Sequence, residues 1–221
     1  MVPRASLLKG VAEIIVRVTR SHPTRVAVDG VDSAGKTVFA DELKPLIEEH
    51  GREAIRASVD GFHTPRAARY QRGRLSPEGY YIDSFNYRAL LDNLLLPLGP
   101  GGSLEYRDAV FDYRKDRPIR GPAKKARPDA VLLFDGVFLM RPELVGLWDL
   151  RIYLDVSYGE MVARGVKRDG GDTETEELYT QRYVPGQKLY QLHSAPKRRA
   201  DLVIDNNNPL NPRITYINPN L

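Results

Sequence analysis

Eight consecutive residues, Gly30, Val31, Asp32, Ser33, Ala34, Gly35, Lys36 and Thr37, match the spacing G-x-x-x-x-G-K-[S/T] in full. Each position has a chemical reason. The two glycines permit backbone conformations barred to residues with a Cβ. The loop N–H groups can then turn inward onto a phosphate at the positive end of a helix dipole. Lys36 is suited to the β/γ oxygens of a nucleoside triphosphate, and the Thr37 hydroxyl to Mg²⁺, a hard cation that prefers oxygen. A glycine-rich turn with an exposed lysine is the bland alternative, and it has no need of Lys-Thr. The expected cofactors are therefore ATP and Mg²⁺.

Three apolar segments end alike, at Asp29-Gly30, Asp60-Gly61 and Asp135-Gly136. Asp-Gly is a common turn pair, yet three carboxylates at one edge suit a bound cation. Asp135 ends the most apolar of these segments and is expected to complete the magnesium site with Thr37; a helix N-cap is its structural alternative. Asp60 opens into an arginine-rich stretch, where a carboxylate can take the proton of an incoming hydroxyl. His63 reads as a loop or capping residue. Arg66, Arg69, Arg72 and Arg74 either grip phosphates or solvate a flap.

The elements that must position these groups follow from periodicity. Leu7, Leu8, Val11, Ile14, Ile15 and Val18 have helical spacing, and His22-Pro23 ends that helix. Residues 25–29, 54–60, 130–135, 150–155 and 200–205 read as strands, with one more edge strand at 214–217. Residues 36–50, 84–96, 157–168 and 174–192 read as helices, with breaks expected at Pro45 and near Pro185-Gly186. Strands apolar on both faces and alternating with helices predict an α/β fold: a P-loop NTPase-type parallel sheet flanked by helices on both faces. In such sheets ligands bind beyond the carboxyl ends of the strands. The whole of 1–221 is expected to form a single domain, with a flap at about 62–82, a hairpin and loop insertion at about 99–128, and a small lid at about 164–182.

Composition narrows the function classes. With 33 basic and 29 acidic residues the net charge is +4, which suits an anionic ligand and argues against nucleic acid. No cysteine is present, which excludes disulfides, thiolate metal sites and a cysteine nucleophile. No run reaches the ~18 apolar residues of a spanning helix, and the N-terminal stretch lacks the pattern of a signal peptide. A cytoplasmic protein with no membrane partner is expected, and a homo-oligomer is compatible with the sequence.

The chain resembles the uridine kinase, phosphoribulokinase and bacterial pantothenate kinase group. The resemblance rests on residues 30–37, on Asp60-Gly61-Phe62-His63-Thr64-Pro65, on Tyr80-Tyr81-Ile82-Asp83-Ser84-Phe85, on Phe134-Asp135-Gly136, on Arg164 with Arg168-Asp169, and on residues 203–206 ending in Asn206. These stand in the family's order across most of residues 25–206. The resemblance implies an ATP-dependent kinase with Asp60 as general base. It implies that Asp83 holds the acceptor's hydroxyls, with Tyr81, Arg88 and Tyr113 as further substrate residues. Arg164 and Arg168 would belong to a lid over ATP.

The acceptor expected on this basis is a small molecule with a primary hydroxyl, first a nucleoside such as uridine or cytidine. A carboxylate at Asp83 matches the diol of a ribose. A pantothenate-kinase-like or other small-metabolite kinase is the alternative. Uridine kinases usually carry Glu-Gly where this chain has Asp135-Gly136, and an aromatic–His pair in their pyrimidine-recognising stretch where it has Phe111-Asp112-Tyr113-Arg114. Residues 169–177 are mostly acidic in place of a set of lid arginines. A nucleotide-driven switch without an acceptor is the other class; its Asn-Lys-x-Asp and Ser-Gly-Gly signatures are absent.

Overall fold

The computed structural model describes residues 3–221; Met1 and Val2, which open the expected single domain, lie outside the described residues. Helix α1 (Arg4–Arg17) buries the stripe Leu7, Leu8, Val11, Ala12 and Ile15. After it come β1 (Thr24–Gly30), α2 (Lys36–Glu49) and β2 (Ala54–Ser58). A crossover region follows with α3 (Arg66–Arg69), α4 (Pro77–Asp83), α5 (Tyr87–Leu90) and four two-residue strands, β3 (Glu105–Tyr106), β4 (Phe111–Asp112), β5 (Arg117–Pro118) and β6 (Lys124–Lys125). The chain returns to the sheet through β7 (Val131–Asp135) and β8 (Leu150–Asp155). It then runs through α6 (Tyr158–Asp169), α7 (Thr173–Leu178), α8 (Val184–Ser194), α9 (Pro196–Arg199), β9 (Leu202–Asp205) and β10 (Arg213–Ile217).

The main sheet has the order β10-β9-β8-β1-β7-β2. Every neighbouring pair is parallel except β9–β10, which is antiparallel. Strand alternation divides the core. Val26, Val28, Val131, Leu133, Ile152 and Leu154 join α1 and α2 on one side, whereas Ala27, Ile55, Leu132 and Phe134 join the crossover region on the other. Both faces are thus covered, as the apolar strands require. Since β1 pairs with both β7 and β8, the chain switches direction beside it, and the loop after β1 opens into the crevice formed there.

Several elements differ from their sequence expectation. Pro45 does not break α2, because Phe39, Ala40, Leu43 and Ile47 keep the whole helix docked. Pro185 lies in the first turn of α8, where its missing N–H is not needed; the irregularity comes earlier, as a π-helical turn at Tyr179–Tyr183. The expected helix over 84–96 is shorter. Asn86 caps it by accepting from the Ala89 N–H, and Tyr87–Leu90 runs into a second π-helical turn at Leu91–Leu95. Strand β2 stops at Ser58, and Val59–Phe62 forms a 3₁₀ turn that carries Asp60 away from the sheet. The flap stretch is not loop throughout, since it contains α3 and α4. Among the described residues no helix is long and apolar enough to cross a membrane.

Candidate active site

A cleft of about 510 Å³ opens at the carboxyl ends of β1, β2 and β7 and is lined by the loop after β1, the Asp60 turn, the end of α6 and the π-helical turn at Tyr179–Tyr183. Its floor is the loop Gly30–Thr37. Gly30 has φ +153°, and a Cβ there would lie 2.6 Å from the carbonyl oxygen of Leu154. Gly35, at φ +85°, takes the left-handed conformation that starts α2. No side chain but hydrogen is tolerated at the first position, and only at strain at the second.

The loop is braced from outside. Asn206, at the end of β9, donates from Nδ2 to the Ala34 carbonyl at 2.7 Å. Asp32 accepts from the Tyr80 hydroxyl and from Gln187 Nε2, each at 2.8 Å. Lys36 is buried, and its ammonium donates to the Val31 carbonyl at 2.7 Å, folded over the loop's concave side.

Thr37 and Asp135 are in direct contact. The Thr37 hydroxyl donates to Asp135 Oδ2 at 2.7 Å, and the Ser58 hydroxyl lies 3.5 Å from the same oxygen. Arg56 was not anticipated there. It donates to Asp135 Oδ1 at 2.7 Å and to Asp41 at 2.8 Å. The register explains the meeting: Ser58 lies opposite Asp135 on β7, and Arg56 lies one side-chain period back on the same face. An arginine inside the otherwise small and apolar run Ala54-Ile55-Arg56-Ala57 was the available signal.

Asp60 faces the open cleft with 57% of its side chain accessible. Loss of hydration between the cleft walls, and then repulsion from Asp135, push its carboxyl up to about 6; Lys36 opposes the shift. His63 is mostly buried, which pulls its pKa down to about 4 and keeps the ring neutral. Its Nδ1 lies 3.1 Å from the Asp60 carbonyl oxygen, and its ring stacks on Tyr113 at 4.8 Å and packs on Phe85 at 4.6 Å. His63 and Tyr113 thus meet from two segments 50 positions apart, a juxtaposition with no local signal.

Arg164 and Arg168 both line the cleft. Arg164 is held by Glu160 at 2.7 Å and by the carbonyls of Asn206 and Asn207. Arg168 pairs with Asp169 at 2.7 Å and donates to the Tyr179 hydroxyl at 3.1 Å, and that pairing keeps Asp169 below the ordinary carboxylate range. Tyr179 fits closely over α6, because a Cβ at Gly165 would fall 2.1 Å from its ring.

Other expected site residues are not brought to the cleft. Asp83 ends α4 instead of preceding a helix, and its carboxylate pairs with Arg72 at 2.9 Å. Tyr81 is buried against Phe138 with Arg141 over its ring. Arg88 lies on the surface, paired with Asp92 one turn along.

Asp29, the first of the three Asp-Gly carboxylates, is wholly buried and turned away from the cleft. It accepts from the N–H groups of Gly30, Leu139 and Met140 and from the Tyr190 hydroxyl, tying the chain after β7 to β1. Burial raises its pKa to about 6 despite these donors. Asp29→Ala would leave those buried donors unpaired and is expected to cost about 3 kcal/mol, at roughly 1–3 kcal/mol for each unsatisfied group less the charge desolvation removed. Because the folded pKa lies above the unfolded one, the native protein binds the extra proton. Stability from this group is therefore lost as pH rises from 3.8 through about 6. Urea unfolding at pH 4.5 and pH 7 checks both points: the variant should be weaker throughout and show less of that slope.

No family model matches the chain. The fold is shared with several solved structures. A Bacillus stearothermophilus protein provisionally described as a uridine kinase superposes with a TM-score of 0.70 at 20% identity, over 89% of this chain and 96% of that one. A Silicibacter sp. TM1040 protein provisionally described as a fructose transport system kinase gives 0.74 at 22% identity, over 89% and 98%. The D-glycerate 3-kinase of Cryptococcus neoformans var. grubii gives 0.64 at 12% identity, over 95% and 99%. At these identities the common property is the α/β fold with its parallel sheet.

Proposed function

We propose that this chain is an ATP-dependent kinase that transfers the γ-phosphoryl group to a hydroxyl of a small molecule. The observation that carries the reading is the joint presence, in one cleft, of the phosphate-type loop, the Thr37–Asp135 oxygen pair and the carboxylate of Asp60. The loop suits a triphosphate because its concave side holds the Lys36 ammonium, whose partner is only a loop carbonyl. Thr37 and Asp135 suit Mg²⁺, which is commonly held by one or two protein oxygens together with phosphates and waters. Bound there, Mg²⁺ would supply positive charge to the phosphate oxygens.

Phosphoryl transfer asks the protein for positioning and charge neutralisation more than covalent chemistry. Residues 30–37 direct their N–H groups at the phosphates, and Lys36 turns from Val31 to the β/γ oxygens. Asp60 accepts the proton of the acceptor hydroxyl as that oxygen bonds to the γ-phosphorus and the bond from the γ-phosphorus to the ADP oxygen breaks. Arg168 and Arg164 neutralise charge on the moving group. The flap at 62–82 and the lid at 164–182 close over the cleft and exclude the water that would otherwise be the acceptor, while the insertion at 99–128 contributes Tyr113.

With Asp83 paired to Arg72, a nucleoside loses the carboxylate expected to hold its diol, and only the flat faces of His63, Tyr113 and Phe85 remain in its favour. The test of the kinase reading is ADP release with and without a panel of hydroxyl compounds. Release is expected to rise at least tenfold with an accepted compound. Equal ATP hydrolysis with and without every acceptor would support the switch class instead.

A further inference from the structure

Beside the cleft, and sharing Tyr113 with it, lies a second cavity of about 560 Å³ walled by Arg66, Arg69, Tyr70, Arg74 and Tyr113. The flap arginines divide into two kinds. Arg72 points elsewhere, to Asp83, with over half its side chain in solvent. Arg69 is only 7% exposed, yet its Nε has no hydrogen-bond partner, and its Nη2 reaches Asp116 at a long 3.4 Å. Arg66 forms no ion pair among the described residues, although its backbone N–H donates to Asp116. Arg74 holds Glu174 of α7. Arg182 adds a further buried cation: it lies 5.0 Å from the Tyr70 ring and donates to the carbonyls of Gly73, Arg74 and Ser76, which fixes the turn that carries these side chains. Asp116 and Glu174 are the carboxylates paired with these arginines, so positive charge is in excess.

A buried guanidinium with an unpaired N–H is costly unless a partner arrives. The partner whose geometry matches its planar fork is a carboxylate or phosphate. The cavity shares the Tyr113 wall with the cleft, His63 is stacked on that ring, and the charge of Arg69 acts on His63 itself. We infer that the Arg66–Arg69–Arg74 cavity binds an anionic group of the hydroxyl acceptor, so that the substrate is a small hydroxylated carboxylate or phosphate ester and not a neutral molecule. The inference rests on the kinase reading for which end of the acceptor reacts: the hydroxyl at Asp60, the anion at Arg69.

Two measurements keep it separate from that reading. The first compares ribose with ribose 5-phosphate, ribitol with ribonate, and uridine and cytidine in the ADP-release assay. At least one anionic member should exceed its neutral counterpart by about 10²-fold in kcat/KM, and the pair that responds tells phosphate from carboxylate. Arg69→Met should raise KM for that acceptor at least tenfold with a smaller change in kcat, and Arg69→Lys should recover part of the loss. Arg66→Met, at the exposed rim, is the second variant should Arg69→Met fold poorly.

The second measurement is calorimetric titration of ribose 5-phosphate and ribonate into protein holding Mg²⁺ and a non-hydrolysable ATP analogue, which blocks the phosphate loop. Binding that is weakened by Arg69→Met or Arg66→Met supports the inference even if turnover fails. Preferred use of uridine or cytidine over both anions would overturn it and leave the kinase reading intact. So would anion binding that neither variant alters, or no binding of either anion.

Discussion

Lys36→Ala is expected to lower kcat/KM for phosphoryl transfer by at least about 10³-fold and to weaken ATP binding. Removing one preorganised neutral donor from a transition-state site already costs about 10²–10³-fold, and Lys36 brings a full charge. The loss should be specific, because the loop does not depend on this side chain for its shape. Its backbone is set by Gly30 and Gly35 and braced by Asn206 on Ala34 and by Tyr80 and Gln187 on Asp32. What Lys36 gives the loop is one bond to the Val31 carbonyl, worth about 0.5–1.5 kcal/mol. The variant should therefore fold, with a Tm lowered by a few degrees, and be inactive. Steady-state ADP release, ATP titration and thermal unfolding of the same preparation check this. A folded Lys36→Ala protein with near-normal turnover would mean that the loop is not the phosphate site.

Asp60→Asn is expected to lower kcat by about 10²–10⁴-fold, the usual contribution of a general base, while ATP affinity changes little because Lys36, Thr37 and Asp135 are untouched. The pH profile carries the sharper signature. The Asp60 carboxyl titrates at about 6, and a base must be ionised to accept a proton. The native kcat/KM should fall about tenfold per pH unit below 6 and level off above it, and the variant should lose that limb.

Stability should move the other way. A carboxyl whose folded pKa is raised disfavours its own ionisation, so the native protein loses stability as pH rises from 3.8 to about 6. Asparagine removes the repulsion from Asp135, and the Tm at pH 7 should be unchanged or higher. Asp135→Asn should behave differently, raising the Mg²⁺ concentration needed for half-maximal rate. If Asp60→Asn shows the metal defect and Asp135→Asn the pure rate defect, the two roles are exchanged.

The sequence by itself determined what is encoded over short spans. The loop at 30–37 is contiguous, and its glycine, lysine and threonine positions carry their reasons within eight residues. The apolar strands show their two-sided burial in composition, which was enough for an α/β sheet covered on both faces. Thr37 and Asp135 could be read as neighbours because each ends or starts an element whose place in such a sheet is general, and their side chains hydrogen-bond.

Tertiary structure alone decided where side chains from distant segments point. Asp29, Asp60 and Asp135 look alike in sequence. Yet the buried N–H groups of Leu139 and Met140 draw the first inward, a 3₁₀ turn lifts the second into the cleft, and the register of β2 against β7 places Arg56 on the third. Asp83 faces Arg72 because the stretch read as open flap folds into α3 and α4. His63 meets Tyr113, and Arg69 is buried without a partner for its Nε, only once the 62–82 and 99–128 segments pack together. Local propensity reports the backbone that a few neighbouring residues prefer. The partner of a charge is chosen by burial and register, which the packing of whole segments sets.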